Sequence, residues 1–508
     1  MWSADTEAVG VTLKRSAAGI DGATLSRKFS RSVRDNIVAE CLIQAVRVSG
    51  MIVLARALGA AEFGILRVLM VVAAFATTIL QPGLTEALVQ RKNLNPVHEA
   101  TAWFVSAVLG LAGALLIYAS ASIVSEMMLM PRLTSGIRLI CAAIFLDCLA
   151  VTSNAHLQRE LRFGTLAAAE VAAEFAFLAT ALALLWVGRP RWSLMAGLTA
   201  RLGIRAIFLL IAAPRPPRTW PTMAALRDLR RFAAGVWGGN IVSIISANAD
   251  FLLVGRLLGA SALGFYMLAW DLLRFVPDRL YKVAGRVAFP AFCLIQDDDA
   301  ELGRGYRNFI EYIGKLVLPV AACAAVAAPE LIGTVYGPKW LPAAQPLRLL
   351  SLGLGLLGLR TGIGSVYFAK GHPVIDIYLH SARLVMIVAA VFSLSRLGLV
   401  GISAGMSGVE ALISIAGLLI AISLVKLRPA DLLKAAMPGL RLAVACAFAA
   451  AAGKVLATAC GAGGVWALLF VALPAGAIFV WIEGKTIISM VAGAIDLNKT
   501  TAPQLSQS

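Results

Sequence analysis

Charge is the first thing this chain is short of. Asp, Glu, Lys and Arg make up 14% of its 508 residues, where a typical soluble domain holds about a quarter. A water-soluble class is excluded on that ground. Histidine is scarcer still, with four residues, and no HExxH or other zinc-ligand spacing occurs. The seven cysteines form no CxxC pair. Cys41, Cys141, Cys323 and Cys446 lie inside apolar runs and read as small buried residues, not disulfides or metal ligands. A nucleotide engine is missing too. The only "GKT", Gly484 to Thr486, has Phe479 where a P-loop needs glycine. No cofactor is expected. Alternating strand-length segments, the mark of a membrane barrel, are absent. Residues 1–35 are polar, carry Lys14, Arg15, Arg27, Lys28, Arg31 and Arg34, and lack the apolar core of a cleaved signal peptide.

What is there is apolar. Hydrophobic residues make up 59% of the chain, and mean hydropathy is +0.83. A membrane-crossing helix needs about 20 mostly apolar residues. Fourteen runs of that kind follow one another, from 36–58 to 463–483. Their backbone must be satisfied internally, so an all-α integral membrane protein with about 14 transmembrane helices is expected. The net charge of +17 is scattered between these runs and gathers on no basic domain, so nucleic acid is not an expected partner. With the N-terminus inside, the inner segments hold 24 basic residues and the outer loops five. That asymmetry puts both ends in the cytoplasm. The inner connection 214–232 is Pro-rich, then basic and amphipathic, and reads as lying along the inner membrane surface.

One phrase occurs twice. "RALGAAEFG" runs from Arg56 to Gly64, and "RLLGASALG" from Arg256 to Gly264, with five of nine positions identical. Each follows an apolar run and precedes another, as a tight outer hairpin would. Gly59 and Gly259 suit helix ends in the left-handed conformation. The offset of 200 predicts two six-helix lobes, 36–213 and 233–425, as parallel repeats about an axis along the membrane normal. An inside loop and two further helices (426–483) and a cytoplasmic tail (484–508) complete the chain.

Ionisable groups inside the apolar runs carry the functional signal, because such groups are costly in lipid and usually face a cavity. Glu40, Gln44 and Arg47 are spaced 0, +4, +7, and Asp376, His380 and Arg383 repeat that spacing. Asp271, Arg274, Asp278 and Lys282 form another stripe. Arg201 and Arg205 share a helix face, as do Glu170 and Glu174. The bland reading of these stripes is interhelical glue. The sharper one is a polar cavity with Arg47, Arg201, Arg205, Arg274 and Arg383 as its cations. Glu40, Asp250, Asp271, Asp376 and His380 would be its acids or ion-coupling groups.

Several stretches resemble the polysaccharide transporter family. They are "FGILRVLMVVAAFATTILQPGLTEALVQRK" (Phe63–Lys92), "LQRELRFGTLAAAE" (Leu157–Glu170) and "NADFLLVGRLLGASALGFYMLAW" (Asn248–Trp270). "RVAFPAFCLIQDDDAELGRGYR" (Arg286–Arg307) and "PKWLPAAQPLRLLSL" (Pro338–Leu352) extend the likeness. The phrasing is most similar to the lipopolysaccharide-exporter branch, within the larger group of multidrug, oligosaccharidyl-lipid and polysaccharide exporters. The resemblance implies a flippase, not an enzyme. Such proteins move a lipid-linked oligosaccharide, typically on undecaprenyl pyrophosphate, across the bacterial inner membrane. It further implies membrane lipids as partners, with polymerase and glycosyltransferases of the same pathway nearby. The arginines would then clasp the pyrophosphate. Three alternatives stand beside it: a drug or small-cation antiporter of the same fold, a membrane polymerase or glycosyltransferase, and a non-transporting membrane scaffold. The short, nearly acid-free outer loops argue against the enzyme.

Overall fold

The structure, a computed structural model, describes residues 40–500 except 41, 215–218, 361 and 373; the side chains of 276, 278–291, 354 and 483–500 are also outside it. Asp278, Lys282, Cys41 and the tail 1–35 therefore lie outside the described residues. All regular structure among the described residues is helical. The first half holds α1 (residues 42–57), α2 (Ala60–Leu80), α3 (Leu84–Gln90), α4 (Pro96–Met127), α5 (Leu133–Leu149), α6 (Val151–Arg159), α7 (Phe163–Trp186) and α8 (Pro190–Ala212). Then come α9 (Met223–Leu294), α10 (Asp299–Val335), a 3-10 turn (Pro338–Ala343), α11 (Ala344–Leu359) and α12 (Ile363–Ala369). The chain ends in α13 (Val374–Leu394), α14 (Gly398–Leu424), α15 (Pro429–Ala459) and α16 (Val465–Thr500).

Among the described residues, ten stretches are long and apolar enough to cross a membrane, and the pair α5–α6, bent by 44°, makes an eleventh. The chain is thus an integral membrane protein. Two of the ten run to 53 and 51 residues, well beyond the ~20 that one crossing needs. Each is interrupted: α9 turns at Gly259 (φ 83°), and α13 and α14 are separated by a short 3-10 turn ending at Gly398 (φ 66°).

Two details differ from the sequence reading. Gly59 is extended (φ −95°, ψ 170°), not left-handed; only Gly259 has positive φ. Leu58 and Gly59 together make the first turn, whereas in α9 one residue must reverse the chain alone, and only glycine does that cheaply. The linker differs as well. From Met223 it is the opening of α9 itself. Thr222 caps that helix by accepting from the Ala225 amide at 3.3 Å. No Pro or Gly breaks it before Gly235, and Leu229 and Ala233 pack on Leu84, Leu88 and Ala155. Where the helices meet the loops, Asp299 pairs with Lys370 (2.5 Å) and Lys426 (2.7 Å). That carboxylate holds the Lys426 ammonium above its usual range.

The repeated phrases meet. Ala60 and Gly64 are four apart, as are Ala260 and Gly264, so each pair puts two small residues on one helix face. A Cβ on Gly64 would run into the Ala260 carbonyl, and a Cβ on Gly264 into the Ala60 carbonyl. The contact is reciprocal, the pattern of a self-complementary twofold interface, and small residues let the backbones approach. Trp340 closes the same region. It is fully buried, edge-on to Phe63 (5.1 Å) and Phe265 (5.8 Å), and its indole N–H donates to the Ala55 carbonyl at 2.8 Å. Arg56 donates to the Thr334 (2.6 Å) and Val335 (2.9 Å) carbonyls, and Lys339 donates to that of Arg56 (2.7 Å). Trp340→Ala is expected to cost about 3–5 kcal/mol, read as loss of unfolding midpoint in detergent. Trp340→Phe keeps most of the ring packing and should lose only the hydrogen bond, about 1 kcal/mol. Equal losses from the two would contradict this assignment.

Candidate functional site: an arginine–carboxylate tract

The first polar site is built by a helical hairpin. Glu170 and Glu174 are one turn apart on α7, and Arg201 and Arg205 one turn apart on α8, so antiparallel packing of the two faces pairs them. Arg205 Nε lies 2.5 Å from Glu170 Oε1, and its Nη1 lies 2.7 Å from Asp147 Oδ1 on α5. Arg201 Nε reaches Glu174 Oε2 at 3.1 Å, while Arg47 of α1 takes the other oxygen of Glu174 at 2.7 Å. One carboxylate, 5% exposed, thus serves two arginines. Gln81, just after α2, donates to Asp147 Oδ2 at 2.9 Å, and Gln44 to Glu40 Oε1 at 3.2 Å.

Three cavities lie side by side along these residues, neighbours sharing lining side chains. One of about 410 Å³ is bordered by Gln81, Asp147, Asn154, Glu170, Arg201 and Arg205. Another, about 280 Å³, shares Glu170 and Arg205 with it and reaches Glu40 and Gln158. The third, about 80 Å³, adds Arg47 and Glu174 and is closed by Met267 and Asp271 of α9. The result is a polar tract whose wall passes from the first half of the chain to the second. Its five carboxylates, Glu40, Asp147, Glu170, Glu174 and Asp271, outnumber its three arginines.

The other expected cations sit elsewhere. Arg383 of α13 is 5% exposed and forks onto Glu410 Oε1 of α14, with Nε at 2.8 Å and Nη2 at 2.6 Å. Its Nη1 donates to the Ser246 carbonyl of α9. Asp250, fully buried, accepts from the Tyr266 hydroxyl at 2.9 Å. One oxygen each of Asp250 and Glu410 has no hydrogen-bond partner among the described residues. Asp376 lies 3.6 Å from His380 Nε2, one turn before Arg383. Arg274 lies 6.0 Å from the Trp270 ring. So the structure brings Arg47, Arg201 and Arg205 together, with Glu40 and Asp271 on the same walls. It places Arg383 in a separate cluster.

Sequence reasoning missed Asp147 and Glu410. Each is the lone acid of an apolar helix, in "IFLDCLA" and "GVEALIS". That isolation is itself the available signal.

The comparisons with known proteins agree with this architecture. The family described as "Polysaccharide biosynthesis protein" matches residues 53–345. The lipopolysaccharide biosynthesis protein WzxC of Escherichia coli (strain K12) is 25% identical over 397 residues, spanning 75% of this chain and 78% of that protein. The teichuronic acid biosynthesis protein TuaB of Bacillus subtilis (strain 168) is 23% identical, spanning 64% and 68%. Among solved structures, the lipid II flippase MurJ in an inward closed conformation superposes with a TM-score of 0.73 at 13% identity, covering 90% of this chain and 99% of that one. An inward-facing multidrug resistance MATE family transporter of the MOP superfamily gives 0.64 at 16% identity, covering 76% and 94%. With the family match spanning more than half its length, the chain belongs to the family described as "Polysaccharide biosynthesis protein".

Proposed function

We propose that this chain is a flippase that carries a lipid-linked oligosaccharide, on a polyprenyl diphosphate such as undecaprenyl pyrophosphate, from the inner to the outer leaflet of the bacterial inner membrane. The observation that carries the reading is the tract of Arg47, Arg201 and Arg205 inside an apolar helical fold. A relative named for succinoglycan transport, ExoT of Rhizobium meliloti (strain 1021), and the lipid II flippase fold support it. Arginine takes phosphate oxygens through two parallel hydrogen bonds. A diphosphate entering the tract displaces Glu170 and Glu174 from their arginines, so substrate and protein carboxylates compete for the same cations. In this reading fourteen crossings form two six-helix units, 36–213 and 233–425, with 426–483 as an added pair and both termini in the cytoplasm. The paired phrases at Gly64 and Gly264 support the repeat. Arg274 and Arg383 would act on the same substrate from the second unit, with Asp250, Asp376 and His380 as coupling groups.

The excess of carboxylates in the tract favours a second reading, a small-cation antiporter of the same fold. A leaflet-resolved assay separates the two. Vesicles containing the purified chain should move labelled lipid-linked oligosaccharide between leaflets. Arg201→Gln should slow that movement at least about tenfold, the equivalent of one charge-assisted hydrogen bond, at unchanged protein level. Flipping at the wild-type rate in that variant, or cation exchange without any flipping, would reject the flippase.

A further inference from the structure

The outer corner where α4, α5, α7 and α8 end holds charge that the function above does not use. Five basic residues are expected in the outer loops, and three of them, Arg132, Arg189 and Arg191, lie here. The turn between α7 and α8 reads "WVGRPRW", Trp186 to Trp192. Gly188 (φ 75°) closes α7, with its amide donating to the Leu185 carbonyl and the Arg189 amide to that of Leu184 (2.8 Å). Pro190 starts α8. The chain reverses in three residues, so two exposed arginines are held between two tryptophans. Trp186 is 90% exposed. A fourth arginine, Arg138, stands in the second turn of α5, exposed and 5.1 Å from the ring of Tyr118. Glu62 pairs with Arg132 at 3.6 Å, but among the described residues Arg138, Arg189 and Arg191 make no ion pair. An open cavity of about 480 Å³ is lined by Pro131, Thr134, Ser135, Arg138, Leu139 and Trp192, so it sets Arg138 beside the end of the turn that carries Arg189 and Arg191.

An arginine on the lipid-facing side of a helix is costly unless it reaches the interface and finds an anion. Tryptophans belong at that same depth, with the ring half in lipid. The phosphodiester of a lipid headgroup lies there and carries the missing charge.

We propose that this corner binds the headgroup of an anionic phospholipid in the outer leaflet, with Arg138, Arg189 and Arg191 on the phosphate and Trp192 against the glycerol. The proposal rests on the orientation given above, with the α7–α8 turn outside. Each cation near an anionic headgroup strengthens binding on the order of fivefold, so three amount to about a hundredfold.

The test uses the full chain in detergent, titrated with short-chain phosphatidylglycerol and followed by native mass spectrometry. R138Q/R189Q/R191Q should weaken binding on the order of 100-fold and R138Q alone on the order of fivefold. R230Q/R231Q, which alters cytoplasmic-end cations, should leave it unchanged. These side chains are exposed, so an unchanged melting temperature reports an intact fold. A triple variant that binds like wild type overturns the proposal. So does inorganic phosphate displacing the lipid at equal concentration, which would make the site one for free phosphate. Vesicles with phosphatidylglycerol in one leaflet separate site from topology. Enrichment only from the leaflet facing the termini refutes the orientation, whereas the triple variant's loss of binding tests the site itself.

Discussion

Alanine at position 64 will strongly destabilise this protein, and alanine at 264 will do so to the same degree. In each case the new methyl group meets a backbone carbonyl, that of Ala260 or Ala60. A side chain in the way can swing aside; a carbonyl inside a helix cannot without moving the helix. Overpacking a core costs about 1–3 kcal/mol when side chains give way, and here the expected loss lies at or above the top of that range. Gly235 and Gly238 provide the control, since nothing lies within 4 Å of a Cβ at either. Alanine there should be neutral or stabilising by up to about 1 kcal/mol, because glycine is a poor helix residue. Unfolding midpoints and export measured for all four variants check the claim. Wild-type behaviour of Gly64→Ala, or a large difference between positions 64 and 264, would remove the reciprocal contact from the account.

The second large effect concerns Glu174. Its two oxygens hold Arg47 and Arg201, so Glu174→Leu leaves two guanidinium groups without their carboxylate. Removing one member of a buried ion pair costs about 3–5 kcal/mol. The lower end applies here, since Arg47 keeps 43% of its side-chain exposure and water screens it. Replacing the whole trio by apolar residues should restore much of that loss. The variant R47M/R201M/E174L is therefore expected to be as abundant as wild type and unable to flip substrate. That split between abundance and flipping separates a binding role from interhelical glue. If the apolar trio flips at the wild-type rate, these arginines are glue and the substrate meets other cations.

Much of this arrangement was legible in the chain itself. The i, i+4 faces of α7 and α8 name the four charged residues that pair across the hairpin, because helical spacing fixes which side chains share a face. The doubled phrase was legible as a hairpin, and its reciprocal contact explains why it occurs twice: each copy supplies the small residues that the other's backbone needs. Asp147 was not singled out, because its partner Arg205 lies 58 positions away and no local spacing links them. Arg383 matched Arg47 in spacing but not in surroundings. Glu410 comes from α14 to meet it, and that crossing belongs to tertiary packing. The unbroken start of α9 was hidden by the proline cluster just before it. Thr222 ends the proline influence with a cap, so the amphipathic stretch becomes the first turns of a crossing helix.

That continuity has a mechanical consequence. From Asp228, tied to Arg91 at 2.8 Å, to the reversal at Gly259, α9 is one rod about 46 Å long at 1.5 Å per residue. Its Gly259 end abuts the close backbone contact at Ala260 and its Asp228 end packs against α3 and α6. Were the Asp228 end released, a pivot of about 10° at the Ala260 contact would swing that tip through about 8 Å, from the same rise per residue. Any angular play at that contact would be largest at the far tip, without bending the helix.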